Sequence, residues 1–218
     1  MSGKITVKRY AILVSLLSMA ALSSCSVDTA PQNSPPPEPD VRQYYIQLAA
    51  PRMEYQYAVS SVGSAYHPGN GQLTMDMKGQ EDNVNGTPVY GCMWSYNNFG
   101  TPTMWYYSLN DKQAIDLGIE FSGMYNDHWV DLQSPLSKGA NWTFQSKGET
   151  VTANVLQYGV SAQVEGQSYS DVIMVQYTGG SGTTGTQWFA RGKGLIFSHI
   201  ERPGDGMVEN RLMSIQQK

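Results

Sequence analysis

Charge is scarce in this 218-residue chain: only 15% of its residues are Asp, Glu, Lys or Arg, and the basic ones are outnumbered 14 to 18. A nucleic-acid binder needs a basic face, so that class is excluded. Cysteine is scarcer still. Cys25 and Cys92 are the only two, too few for a disulfide framework. The three histidines, His67, His128 and His199, lie far apart, and none has a ligand at HxH or HxxxH spacing. The 22 glycines lack a three-residue period, which excludes collagen. A bilayer-spanning apolar run is missing as well. The longest, Tyr10 to Ala21, rises about 18 Å as a helix, against a hydrocarbon core of roughly 30 Å. What is present is a hydrophobic content of 40% with 14 Tyr and 5 Trp. That is too rich for a disordered chain and enough for one globular domain with a real core.

The short apolar run is an address. Lys4, Lys8 and Arg9 precede it as a basic head, and small residues follow it, the layout of a secretory signal peptide. Its end, Leu22-Ser23-Ser24-Cys25, resembles the lipobox of bacterial lipoproteins. The resemblance implies cleavage after Ser24 and acylation of Cys25 with palmitate-type chains. Each buried CH₂ contributes about 0.8 kcal/mol, so two or three such chains anchor a protein stably. Ser26 after the Cys, where Asp would favour retention in the inner membrane, implies the outer membrane by the same resemblance. Cleavage removes Lys4, Lys8 and Arg9 and no acidic residue, leaving the mature chain more acidic still. A lipidated Cys25 cannot pair, and Cys92, in the run Tyr90-Gly91-Cys92-Met93-Trp94, reads as a small core residue of a strand.

Three regions follow: a leader at 1–24, a lipidated Cys with a Pro-rich linker at 25–40, and an all-β domain at 41–218. Proline at the density of Pro31 to Asp40 is an extended spacer of about 3.1 Å per residue. Asp40 is placed to cap a short helix with Val41, Tyr45 and Leu48 on one face, ended by Pro51. Beyond it the pattern alternates. Met53, Tyr55, Tyr57 and Val59 share one face, as do Leu73, Met75 and Met77; Tyr90, Cys92, Trp94 and Tyr96; and Trp105, Tyr107 and Leu109. Ile115, Leu117, Ile119 and Phe121 alternate with Asp116, Gly118 and Glu120. Asn85-Gly86, Gly179 to Gly185 and Pro203 to Gly206 are turns. Strands this short and this regular predict an antiparallel meander that curls to protect its edges: a single, strongly curved sheet or open β-barrel with tight hairpins.

A second resemblance covers about the last 85 residues. Pro135-Leu136-Ser137-Lys138-Gly139-Ala140-Asn141-Trp142, Tyr169 to Val175 and Gln187 to Ile196 are similar to elements of uncharacterised bacterial envelope lipoproteins, with Ile196 where Val is usual. At the level of fold these resemble lipoprotein carriers such as LolA and LolB. That resemblance implies a sheet curved around an apolar cavity holding acyl chains.

Sequences that suggest chemistry mostly dissolve on inspection. Gly192-Lys193-Gly194 lacks the spacing of a phosphate loop and reads as a turn. Glu81 to Gly86 half matches a calcium loop, but the twelfth position is Cys92 where a bidentate Glu is needed, so a hairpin is expected. Asp127-His128, with Asp131 nearby, reads as a surface loop. Asp116 and Glu120 share a strand face but sit about 13 Å apart, too far for paired work, and are expected to face solvent. No nucleophile, base and orienting group come together, so no enzyme is expected, and no cofactor motif is present.

The aromatics are different. Most of Tyr90, Trp94, Tyr96, Trp105, Tyr107, Trp129, Trp142 and Trp188 should pack a core. Trp94, Tyr96, Trp105 and Tyr107 are the candidates for lining a ligand site. Eleven methionines favour an adaptable apolar cavity, while Asn97 and Asn98 among Gly-rich loops lean towards glycans. The expectation is a non-enzymatic, membrane-anchored envelope protein that binds a lipid or other apolar molecule. Its alternatives are a module docking another envelope protein, and a glycan-binding surface lipoprotein.

Overall fold

The computed structural model describes residues 38–46, 48, 52–63, 69–84, 86–97, 99–121, 124–125 and 127–218. The leader, Cys25 and the linker up to residue 37 lie outside them, as do His67, Asn85 and Asn98. The buried core runs from Val41 to Leu212, inside the compact unit Pro37–Lys218, so this unit holds its own core.

The predicted alternation is realised as strands. In order these are β1 (Met53–Val62), β2 (Gly71–Val84), β3 (Thr87–Tyr96), β4 (Phe99–Leu109), β5 (Gln113–Gly118), β6 (Glu120–Phe121), β7 (Met124–Tyr125) and β8 (Trp129–Gln133). The second half supplies β9 (Asn141–Ser146), β10 (Glu149–Val164), β11 (Gln167–Gly179), β12 (Thr184–Ala190), β13 (Gly194–Arg202) and β14 (Gly206–Gln217). Apart from the small β6–β7 hairpin, they form one 12-stranded antiparallel sheet in the order β8-β5-β4-β3-β2-β1-β14-β13-β12-β11-β10-β9. Each half of the chain is a meander, and the β1–β14 pair, from Met53↔Gln217 to Val62↔Met207, joins them.

The sheet's two edge strands, β8 and β9, are consecutive in the chain and close the sheet almost into a barrel. Side chains bridge the seam where no ladder does. Trp142 Nε1 on β9 donates to the Val130 carbonyl on β8 at 3.2 Å, and Tyr177 Oη on β11 donates to the Asp131 carbonyl at 2.6 Å. Asn85-Gly86 falls in the β2–β3 connection, where Val84 pairs with Thr87 and Gly86 takes φ +82°.

The segment before β1 departs from the short amphipathic helix expected of it. It makes a single 3₁₀ turn, Val41–Gln43, with the Asp40 carboxylate accepting from the Arg42 amide. It then enters the lumen: Tyr44, Tyr45, Ile46 and Leu48 are at most 2% exposed. An amphipathic surface helix buries one stripe, whereas a chain threaded into a barrel is buried on every side, and this decides the difference. Val41 N donates to Asp111 O in the β4–β5 turn at 3.0 Å, and Gly192 N in the β12–β13 turn donates to Gln43 O at 2.7 Å. The plug therefore crosses one end of the barrel. Gly194 permits it: at φ +85° it has the backbone of a turn glycine, and a Cβ there would stand 2.8 Å from Ile46 N.

Candidate functional site

Above the plug the lumen is a cup of about 370 Å³ that opens at the opposite end of the barrel, within the size range of small-molecule sites. Tyr45 and Ile46 form its floor, and Leu73, Met75, Trp94 and Trp105 stand on one wall. Trp94 and Trp105 stack at 4.3 Å with their planes 12° apart, an offset-stacked contact of the kind aromatic pairs favour. The β2–β3–β4 register puts them there, because Met75 faces Trp94 and Cys92 faces Trp105, and cross-strand partners share a face.

Three of the four aromatic candidates, Trp94, Trp105 and Tyr107, thus line the cup. Tyr96 does not. It packs edge-on against Trp94 at 6.4 Å, opposite Leu73 on the same face of the sheet. Trp129 also lines the cup, under the Arg202 guanidinium at 4.4 Å, while Trp188 packs at a tilt against Phe197. Cys92 is fully buried in the core, and burial pushes its thiol far above the usual range, so it offers no thiolate. Asn97 is occupied locally, its side chain accepting from the Gln72 amide at 2.9 Å.

The carboxylates correct the expectations drawn from the sequence. Asp116 lines the cup rather than a solvated face. Its partner across the ladder is Tyr107, which points inward, and a register shift at Tyr106/Tyr107 fixes that phase. Asp116 Oδ1 accepts from Trp105 Nε1 at 2.5 Å and from Gly118 N at 2.8 Å. Asp131, expected in a surface loop, is a buried β8 residue only 4% exposed. It accepts from Tyr45 Oη and from the Gln187 amide, tying plug and β12 to β8. Burial pushes Asp131 up to about 7, against the pull of the Tyr45 and Gln187 hydrogen bonds. Burial also raises Asp116 well above the carboxylate range, with the Asp131 charge adding to it.

Asp127 stands at the mouth. It pairs with Arg202 at 3.1 Å and accepts from Ser146 Oγ at 2.7 Å. Lys147 and Asp205, from the β9–β10 and β13–β14 turns, pair at 2.6 Å across the same rim. His128 is exposed beside it and does not join the cup.

A polar row escaped sequence reasoning altogether. Gln187 pairs with Ser198, and Ser198 with Asn210, on three adjacent strands. All three line the cup. They are separated by about a dozen residues each in sequence, and no local pattern marks them. Among the described residues no cluster of three or more His, Cys, Asp or Glu can hold a metal ion.

No protein-family model and no curated protein matches the chain significantly. Among solved structures it is similar to a Bacteroides fragilis protein assigned as exported, with a YmcC-like fold. The two share 9% identity at a TM-score of 0.46, over 80% of this chain and 99% of that one. It is also similar to a protein assigned as a lipoprotein from Parabacteroides distasonis, at 7% identity and a TM-score of 0.38, over 77% and 96% of the two chains. At these levels neither neighbour assigns a role to this chain.

Proposed function

We propose that the protein is a non-enzymatic envelope lipoprotein, anchored by acylated Cys25, whose cup binds a small, largely apolar molecule. The observation that carries the binding half is the cup: an apolar, Trp-walled lumen of about 370 Å³, closed below by its own N-terminal segment and open above. A core packed to ordinary density leaves few voids larger than a water molecule, which supports reading a hollow of this size as a site. The anchoring half is supported by the basic head, the short apolar run and the Leu22-Ser23-Ser24-Cys25 box. Ser26 favours the outer membrane. The Pro-rich stretch up to Asp40 then leads from the lipid to the plug.

Two measurements test this. The chain from residue 26 onward, titrated with the fluorescent probe N-phenyl-1-naphthylamine, is expected to enhance its emission and saturate at one probe per chain. Ile200→Trp, which fills the cup from β13, is expected to abolish the enhancement while the far-ultraviolet circular dichroism stays unchanged. Absence of saturable binding in the unaltered chain would overturn the cup reading. Separately, Cys25→Ala is expected to move the full chain from the membrane fraction of bacterial cells to the soluble fraction, and a variant still held in the membrane would refute lipid anchoring.

A further inference from the structure

Lysine and arginine are unevenly spread over the barrel. Of 14 in the chain, Lys4, Lys8 and Arg9 belong to the leader, which leaves 11. In an antiparallel meander successive connections alternate between the two ends. The β4–β5 and β12–β13 turns hold the plug. The β2–β3, β8–β9 and β10–β11 connections, the start of β1 and the end of β14 therefore lie at that same end. Arg42 and Arg52 precede β1, Lys112 lies in the β4–β5 turn and Lys138 in the β8–β9 connection. Arg191 and Lys193 lie in the β12–β13 turn, and Lys218 follows β14. All seven are exposed. The same segments carry four acids, Glu38, Asp40, Asp111 and Glu165. Between the strands that meet at the mouth there is one cation, Lys147, against Glu120, Asp127 and Asp205. A chain that is acidic as a whole is basic at its plugged end.

Three of the seven have carboxylate partners: Arg42 with Asp40, Arg191 with Asp171 and Lys218 with Glu54. Arg52, Lys112, Lys138 and Lys193 form no ion pair among the described residues. The chain from Cys25 also arrives at this end. Glu38 accepts from Ser134 Oγ in the β8–β9 connection, and Val41 N donates to Asp111 O in the β4–β5 turn. Residues 25–37, extended at the pitch of a proline-rich spacer, reach about 40 Å. A tether of that length fixes neither end of the barrel against the bilayer, so the charges decide.

We propose that the plugged end docks on anionic phospholipid headgroups of the membrane that holds Cys25, with the mouth of the cup turned away from it. The proposal rests on the anchoring half of the functional reading and adds an orientation to it. Each Lys or Arg near an anionic lipid surface strengthens binding about fivefold, and the four without ion pairs have no salt bridge to give up. Acyl chains and a basic patch are two signals that together hold a protein flat on a membrane. Tyr158, exposed beside Tyr44 of the plug at 6.2 Å, adds an aromatic of the kind enriched at headgroup level. Mouth-down docking would press Glu120, Asp127 and Asp205 against anionic heads instead. Val62 and Met124, exposed on the mouth side, are single apolar residues of a kind normal on any surface. With the plug below, the cup fills from the aqueous side.

The test is co-sedimentation of the chain from residue 26 onward with sucrose-loaded vesicles in low salt. Phosphatidylcholine vesicles with one third phosphatidylglycerol should bind it at least about tenfold more tightly than phosphatidylcholine alone. Salt at about 0.5 M should abolish the difference. Lys112→Glu, Lys138→Glu and Lys193→Glu combined should weaken binding at least about tenfold, whereas Lys147→Glu at the mouth should leave it unchanged. Equal binding to the two vesicle types overturns the proposal. A larger loss from Lys147→Glu than from the triple variant also overturns it, because the mouth would then face the lipid. The two vesicle types on the unaltered chain decide the matter even where the triple variant fails to fold. This chain carries no acyl group, so failure of the anchoring reading shows separately, in the Cys25→Ala fractionation.

Discussion

At one end of the barrel Tyr44, Tyr45, Ile46 and Leu48 fill the lumen, each at most 2% exposed. At the other end the residues meeting solvent are Arg202, Asp127, Lys147 and Asp205, in two ion pairs. The same sheet carries both ends, so the difference lies in what closes them. The plug is held by buried aromatic contacts, Tyr45 against Phe189 and Tyr107 at 6.1 Å each, and by hydrogen bonds to β8 and β11. Removing it means exposing several large side chains, each worth about 1.5–3 kcal/mol of burial. The more exposed of these pairs, Lys147–Asp205, contributes about 0–1 kcal/mol. One end is shut by packed side chains and the other is rimmed by ion pairs.

The contrast can be broken most severely at Tyr45. Tyr45→Ala removes a fully buried ring and the donor to Asp131, and should destabilise the domain by about 3–5 kcal/mol. Urea unfolding reads this as a lower midpoint at unchanged slope. A loss below about 1 kcal/mol would mean the segment lies on the barrel rather than in its core.

A middle-sized effect belongs to Asp131, where plug and cup meet. Its folded value of about 7 lies above its ordinary 3.8, so the native state binds more protons than the unfolded one between those values. Stability from this group is therefore full below about 4 and is lost as pH rises through about 7. Asp131→Asn lacks that titration. Its melting temperature relative to the unaltered chain should improve from pH 5 to pH 8.5 by a few degrees, or about 1–2 kcal/mol. A difference that stays constant across that range would show that Asp131 is ionised throughout.

The smallest effect is expected at the rim. Lys147→Ala deletes an exposed partner of Asp205 and should change stability by no more than about 0.5 kcal/mol, and less in high salt. A larger loss, measured in the same unfolding assay, would make the mouth as structural as the plug.

Much of this was legible residue by residue. Leu73, Met75 and Met77 alternate with polar neighbours, and all three are buried on one face. Trp94, Trp105 and Tyr107 were candidates because they share strand faces with apolar residues, and they do line the cup. Asp116 was misread because Ile115 and Leu117 flank it. Alternation alone turns it outward, but its pairing with Tyr107 turns it in. Gln187, Ser198 and Asn210 were invisible, since the row exists only once three strands pair in one register. Tyr45 was assigned to a helix face, and only the lumen around it explains why Tyr44, Ile46 and Leu48 are buried with it.

The sequence by itself determined the strands and the turns, because period-two alternation and turn glycines act over a few residues. The tertiary structure decided the closure, the plug and the polar row of the cup. Those depend on which strands pair and at what register, and a slip of one residue would send Asp116, Gln187 and Asn210 to the outer face of the sheet.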